Sequence, residues 1–179
     1  DQVDQLSTMN GYTDLTEISM HKSSTQPEVM QGHPSTICVA AFNGSVESFR
    51  YLLLNNADLF KSDDEGRLCA HFAAASGCIE ILALLNEFGV DFNEAFDRDQ
   101  NTPMHYAASY NQTDCIKWLW TKGLSFETPN IYGWLPFHKA CAHNALDALQ
   151  FIIENCNPPE EVNSPEEKLA KLIELRVNK

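Results

Sequence analysis

Basic side chains are scarce in this chain. Lysine and arginine number 12 against 25 aspartates and glutamates, for a formal net charge of −13 over 179 residues. A chain of that sign is repelled by phosphate backbones, so direct nucleic-acid binding and docking on anionic membranes are not expected. The acid is spread along the chain, and residues 35–158 alone hold fifteen acidic and seven basic side chains. A basic partner surface would be attracted and steered. No apolar run has transmembrane length, so membrane insertion is not expected. Asp1–Met30 has no basic-plus-apolar signal segment. A start at Asp1 reads as a fragment or a processed chain, with an earlier-removed signal left open.

Reactive chemistry is equally thin. Six cysteines are present, but none forms a C-x-x-C pair and no Cys/His spacing matches a zinc site. They read as small, buried, reduced hydrophobes, which suggests a cytoplasmic or nuclear protein. There is no Gly-x-Ser-x-Gly, no phosphate-cradling glycine loop and no His-Glu-x-x-His. Asp63, Asp64 and Glu65 lie together in a turn, where solvation is the default. No catalytic residue, metal ligand or cofactor is assigned, and the chain is not read as an enzyme.

What is there is a pattern with a fixed interval. His71, His105 and His138 each stand two residues before a small pair, Ala73-Ala74, Ala107-Ala108 and Ala140-Cys141. The histidines are 34 and then 33 residues apart. A weaker first copy runs from Ser35 to Gly44 with Cys38 in place of the histidine. A period near 33 means stacked supersecondary units. Gly44, Gly77, Asn111 and Asn144 suit a left-handed helix end. Apolar residues follow at helical spacing: Val46, Phe49 and Leu52; Ile79, Leu82 and Leu85; Ile116 and Leu119; Leu146, Leu149 and Ile152. Each period is therefore predicted to be helix–turn–helix, followed by an Asp/Gly-rich connector.

At these residues the chain resembles the ankyrin-repeat family. Thr102-Pro103-Met104-His105-Tyr106-Ala107-Ala108 is similar to the family's Thr-Pro-Leu-His-x-Ala-Ala signature. Leu135 to Cys141 keeps the proline and histidine, while Leu68 to Ala74 keeps the histidine and the alanine pair. Gly89-Val90-Asp91-Phe92-Asn93 is similar to the family's Gly-Ala-Asp-Val-Asn loop. Several matches in register carry the resemblance, which covers roughly residues 34 to 157. It implies an all-α solenoid of stacked helix–turn–helix units with hairpin-like turns and helical caps. The expected repeats are 34–66, 67–100, 101–133 and 134–157. In the family the repeated histidine bonds to the backbone of the adjoining turn, a structural role. Asn93 is similar to loop asparagines that become hydroxylated in the family.

The ends are expected to close the stack. Residues 1–33 read as a degenerate capping helix and linker, with Leu15, Ile18 and Met20 apolar. Residues 158–179 read as a further helix begun by Ser164-Pro165-Glu166-Glu167. It is either a cap on the last repeat or a connector to another domain, and the cap is favoured because an uncovered repeat loses apolar burial.

Stacking uses up the apolar stripes and leaves one concave side, made of first helices and turn tips. Its expected contact residues are Asp64, Glu65 and Arg67; Arg98, Asp99 and Asn101; Ile131, Tyr132 and Trp134; and, on the helices, Phe42, Tyr110 and His143. The resemblance implies that such positions vary with the partner and touch it. An aromatic anchor near Trp134 with an acidic rim of Asp63, Asp64, Glu65, Asp97 and Asp99 suits a peptide or protein surface that carries an apolar side chain beside Lys or Arg. Packing of Trp134 under a terminal helix or the next turn is the competing expectation. The chain thus reads as a protein-interaction module of a scaffold or adaptor. The alternative is a regulatory ankyrin segment of a larger channel or enzyme whose chemistry lies elsewhere.

Overall fold

The structure, a computed structural model, describes residues 32–155. The expectations for residues 1–31 and for the helix after Pro158 lie outside the described residues. Within them are eight helices and no strand: α1 Thr36–Phe42, α2 Val46–Leu54, α3 Cys69–Ser76, α4 Ile79–Glu87, α5 Pro103–Ser109, α6 Thr113–Thr121, α7 Pro136–Ala142 and α8 Leu146–Asn155. They form four antiparallel hairpins. The first helices pack in the order α1, α3, α5, α7, and the second helices α2, α4, α6, α8 lie behind them in the same order.

Small residues let the first helices approach one another. Ala41, Ala73, Ala74, Ala107, Ala108 and Ala140 are all fully buried between neighbours. The second helices supply the bulk of the core through Phe49, Ile81, Leu82, Leu85, Ile116, Leu119 and Ile152. Burying one such side chain stabilises the fold by roughly 1.5–3 kcal/mol. The predicted stripes are displaced at one point. Leu146, the first residue of α8, is 64% exposed where Val46 and Ile79 at the same place in α2 and α4 are half-buried, and Ala145 just before it is buried instead.

Every first helix ends alike. The N–H groups of Ser45, Cys78, Gln112 and Ala145 reach back to the carbonyls of Ala40, Ala73, Ala107 and Ala140 at 2.9–3.2 Å. That closure needs a left-handed residue in between, and Gly44, Gly77, Asn111 and Asn144 have φ of 62°, 75°, 57° and 56°. The second helices close the same way, with Ala57 donating to Leu52, Val90 to Leu85 and Leu124 to Leu119. The Schellman cap is thus used at the end of both helices in the first three repeats.

The histidines fasten each repeat to the next. Nδ1 of His71, His105 and His138 accepts the N–H of the residue before its helix, Leu68, Thr102 and Leu135, at 2.9–3.1 Å. With Nδ1 accepting, the proton sits on Nε2. His71 donates it to the carbonyl of Asn101 at 3.1 Å, and His105 to that of Trp134 at 2.9 Å. Each acceptor lies in the following turn tip. Cys38 cannot span that distance, and its sulfur instead meets Ser35 Oγ at 3.2 Å and Cys69 Sγ at 3.0 Å in the core.

Candidate functional site

The turn tips follow one design. Asp63, Asp97 and Asn130 open them, and each bonds its backbone N–H to the carbonyl four residues on, at 2.9–3.2 Å. Each side-chain Oδ1 then accepts backbone N–H groups inside the turn. Asp63 takes those of Glu65 and Arg67, Asp97 that of Asn101, and Asn130 those of Tyr132 and Trp134. Gly66, Gln100 and Gly133 complete the turns with positive φ. The tips also bond to one another: Arg98 N–H donates to the Glu65 carbonyl and Ile131 N–H to that of Asp99, both at 2.9 Å. A polar ribbon therefore runs along the edge of the stack and holds the tips at fixed spacing.

This design corrects four expectations. Asp63 and Asp97 are buried inside the tips and do not belong to a solvated acidic rim. Arg67, only 5% exposed, is bound to Asp63 through Nε at 2.7 Å and Nη2 at 2.6 Å. It is a buried counter-charge and not a projecting contact. Burial works against its charge, but the bond to Asp63 and the charge behind it outweigh that and hold its pKa above the ordinary value. Asn101, 4% exposed, donates Nδ2 to Asp97 and accepts from Asn130 Nδ2, both at 2.9 Å. The physical reason runs in two steps: a tight turn has more inward-facing amide donors than its backbone can satisfy, so the carboxylate at the first position turns inward to accept them, and Arg67 and Asn101 at the fifth position turn inward to donate to that buried carboxylate.

The other expected residues divide into two groups. On the outer edge, Asp64, Glu65 and Arg98 are exposed and Asp99 is half-buried. Asp64 bonds His33 Nδ1 at 2.5 Å. Ile131 and Tyr132 are 52% and 63% exposed and carry the apolar surface of the third tip. The Tyr132 hydroxyl donates to Asp99 Oδ1 at 3.3 Å, and the Asp99 charge is the first reason its pKa rises. Trp134 is half-buried, with its ring facing Lys139 Nζ 5.6 Å from the centroid. On the inner face, Phe42 and Tyr110 come together edge to face at 6.4 Å across the small end of α3. His143 is exposed at the end of α7. Asn93 is exposed in the loop after α4, its N–H bonded to Asp91.

Between edge and inner face lies a groove. One recess of about 340 Å³ is bordered by Glu65, Arg98, Asp99 and Tyr106, and a smaller one of about 90 Å³ sits over α5 and α7. Tyr106 stands in the middle, its hydroxyl donating to Asp97 at 2.8 Å and its ring edge-on to His71 at 5.1 Å. Burial first, then Asp97, raises its pKa and keeps it a neutral donor. Lys139 borders both recesses and was not among the residues expected there. Its signal was available, since Phe72, Tyr106 and Lys139 repeat at the same 34- and 33-residue spacing as the histidines before them. The tip openers Asp63, Asp97 and Asn130 share that spacing too.

Among the described residues no three His, Cys, Asp or Glu side chains gather closely enough to hold a metal ion, and no helix is long and apolar enough to cross a membrane. The arrangement offers shape, aromatic surface and charge.

Comparison with known proteins agrees in kind. A family model described as ankyrin repeats in three copies matches residues 37–130 and 89–165. The chain is 40% identical over 81 residues to the transient receptor potential channel pyrexia of Drosophila melanogaster, a match covering 45% of this chain and 8% of that protein. It is 32% identical over 112 residues to the NF-kappa-B inhibitor cactus of the same species, covering 62% and 22%. It is 27% identical over 139 residues to the I-Kappa-B like protein G1 of Microplitis demolitor bracovirus (isolate Webb), covering 73% and 79%. The chain thus spans less than a quarter of the length of pyrexia and of cactus.

Proposed function

Because the chain belongs to the ankyrin-repeat family, whose repeats generally mediate protein–protein interaction and are typically not enzymes, we propose that its groove binds an extended segment of another protein and that the chain works as a scaffold or adaptor module. The observation that carries this is the third tip, where Ile131 and Tyr132 stay 52% and 63% exposed on a turn locked by Asn130. Apart from the Tyr132 hydroxyl's bond to Asp99, this apolar surface takes no part in closing the turn, which Asn130 does. Such a surface contributes contact area with little ordering cost. The exposed acids Asp64 and Glu65, with Asp99 beside them, favour Lys or Arg next to the partner's apolar side chain. The binding unit is the repeat domain, residues 34–157, flanked by 1–33 and 158–179 as caps or connectors. Its described cysteines are unpaired thiols, which favours the cytoplasm or nucleus.

The test is selection of short random peptides on the full 179-residue chain, followed by titration against the Tyr132→Ala and Ile131→Ser variants. Each substitution is expected to weaken the selected peptides by roughly 1–2 kcal/mol without moving the melting temperature. Peptides that bind both variants as well as the parent would remove the groove from consideration.

A second reading is favoured by the match to pyrexia, of which the chain spans 8%: the repeats are a regulatory segment of a larger channel or enzyme. The sequence of the whole gene decides between the two. Asn93 is proposed as a hydroxylation site, supported by its exposed position in the loop, and a mass gain of one oxygen on the protein from its native source would be expected.

A further inference from the structure

We propose that the recess over α5 and α7 receives a carboxylate side chain, aspartate or glutamate, of the bound segment. The inference rests on the binding reading above and adds a charge requirement to it. In a stretch where acids outnumber bases fifteen to seven, none of the residues lining this recess of about 90 Å³ is acidic. Its cation is Lys139. No ion pair to Lys139 forms among the described residues, and its ammonium group is held over the Trp134 ring. The neighbouring cation, Arg67, is already neutralised by Asp63. His143 adds an exposed imidazole on the same wall.

Most of the remaining polar groups of the recess are already committed, Tyr106 through its hydroxyl to Asp97. His105 has Nδ1 filled by the Thr102 N–H and Nε2–H committed to the Trp134 carbonyl. Asn101 is bonded at both ends of its amide. Ser109 donates its hydroxyl to the His105 carbonyl. The charge offered to a guest is therefore the Lys139 ammonium, with the His143 ring able to donate beside it, at the end of a groove whose outer tips carry Asp64, Glu65 and Asp99. Space of about three water volumes suits a carboxylate. The partner segment is thus polar in charge as well as in position, with Lys or Arg toward the second and third tips and Asp or Glu toward α7.

Peptides selected on the full chain test this directly. Those retained by the parent are expected to carry Asp or Glu at a fixed offset from their apolar anchor. Changing that residue to the amide should weaken binding at least tenfold. Lys139→Met should weaken the acidic peptides by a similar factor with an unchanged melting temperature, and Lys139→Glu should reverse the preference to Lys or Arg at that offset. Selected peptides without an acidic preference, or bound equally by Lys139→Glu, would overturn the proposal while leaving the binding reading intact. Tighter binding of a phosphoserine peptide than of its glutamate form would overturn the carboxylate assignment. If no peptide is retained through Tyr132, the binding reading fails and this inference fails with it.

Discussion

At the scale of single residues, the repeated histidine trades charge for position. His71 and His105 are buried, and burial first drives both pKa values down, that of His105 from 6.5 to about 4. Folded, each ring is neutral, with one nitrogen accepting and the other donating. The unfolded chain takes up a proton below about pH 6.5 that the folded chain refuses. Stability is therefore expected to be complete above that pH and to fall as pH drops toward 4, below which the contribution of His105 levels off. His105 alone should account for about 3 kcal/mol across this window. Urea melts at neutral pH and near pH 4.5 measure it, and His105→Gln should flatten the dependence. The Asp63–Arg67 pair permits a sharper test. Arg67→Met leaves a buried carboxylate without its counter-charge and should cost about 3 kcal/mol. Adding Asp63→Asn should recover at least about 1 kcal/mol, because Asn130 already does the same turn-closing work uncharged in the next tip but one.

At the scale of elements, the hairpins depend on left-handed caps, and the caps are not equally tolerant. A Cβ on Gly44 would meet nothing nearer than Cys78 at 3.9 Å, so Gly44→Ala carries only the cost of positive φ, about 1 kcal/mol. A Cβ on Gly77 would lie 2.3 Å from Gln112 Oε1. That side chain is itself a tie between repeats, since its Nε2 donates to the Ala75 carbonyl at 3.1 Å. Gly77→Ala should therefore cost about 1 kcal/mol more than Gly44→Ala, and Gln112→Ala in the same chain should remove most of the difference. Chemical denaturation of the four variants gives the comparison.

For the whole molecule, a stack of near-equal hairpins makes stability a sum over neighbours and offers the proposed binding one long edge. Its charge acts at longer range than its contacts. With a net charge of −13, association with a segment bearing net positive charge is expected to slow markedly as salt rises from 0.05 to 0.5 M, roughly the change from a 14 Å to a 4 Å screening length. The dissociation rate, set by Tyr132 and its neighbours, should change little. Stopped-flow association at several salt concentrations separates the two.

The period, the helix pairs, the left-handed Gly and Asn positions and the histidine tie were all legible in the sequence. Each depends on a short stretch of chain repeated until its meaning is plain: a histidine three residues after the cap, a Gly or Asn three after the small pair. The candidate edge was legible only in part. Ile131 and Tyr132, placed at a turn tip by the repeat, are exposed, but the same placement put Arg67 and Asn101 outside, and the expected acidic rim put Asp63 and Asp97 there, when all four are inside. Polarity predicts exposure only where water is the available partner, and in these tips the turn's own amides compete with water and win. Lys139 shows the converse. Its repeat position, shared with Phe72 and Tyr106, marks it as facing the groove, but that one of the two recesses it borders is free of acid follows only from walls supplied by two other repeats. Local chain chemistry therefore determined which hairpins form and in what order. Which charges are spent within the turns, and which remain on the surface, was decided only when tips about one repeat apart in sequence were brought side by side.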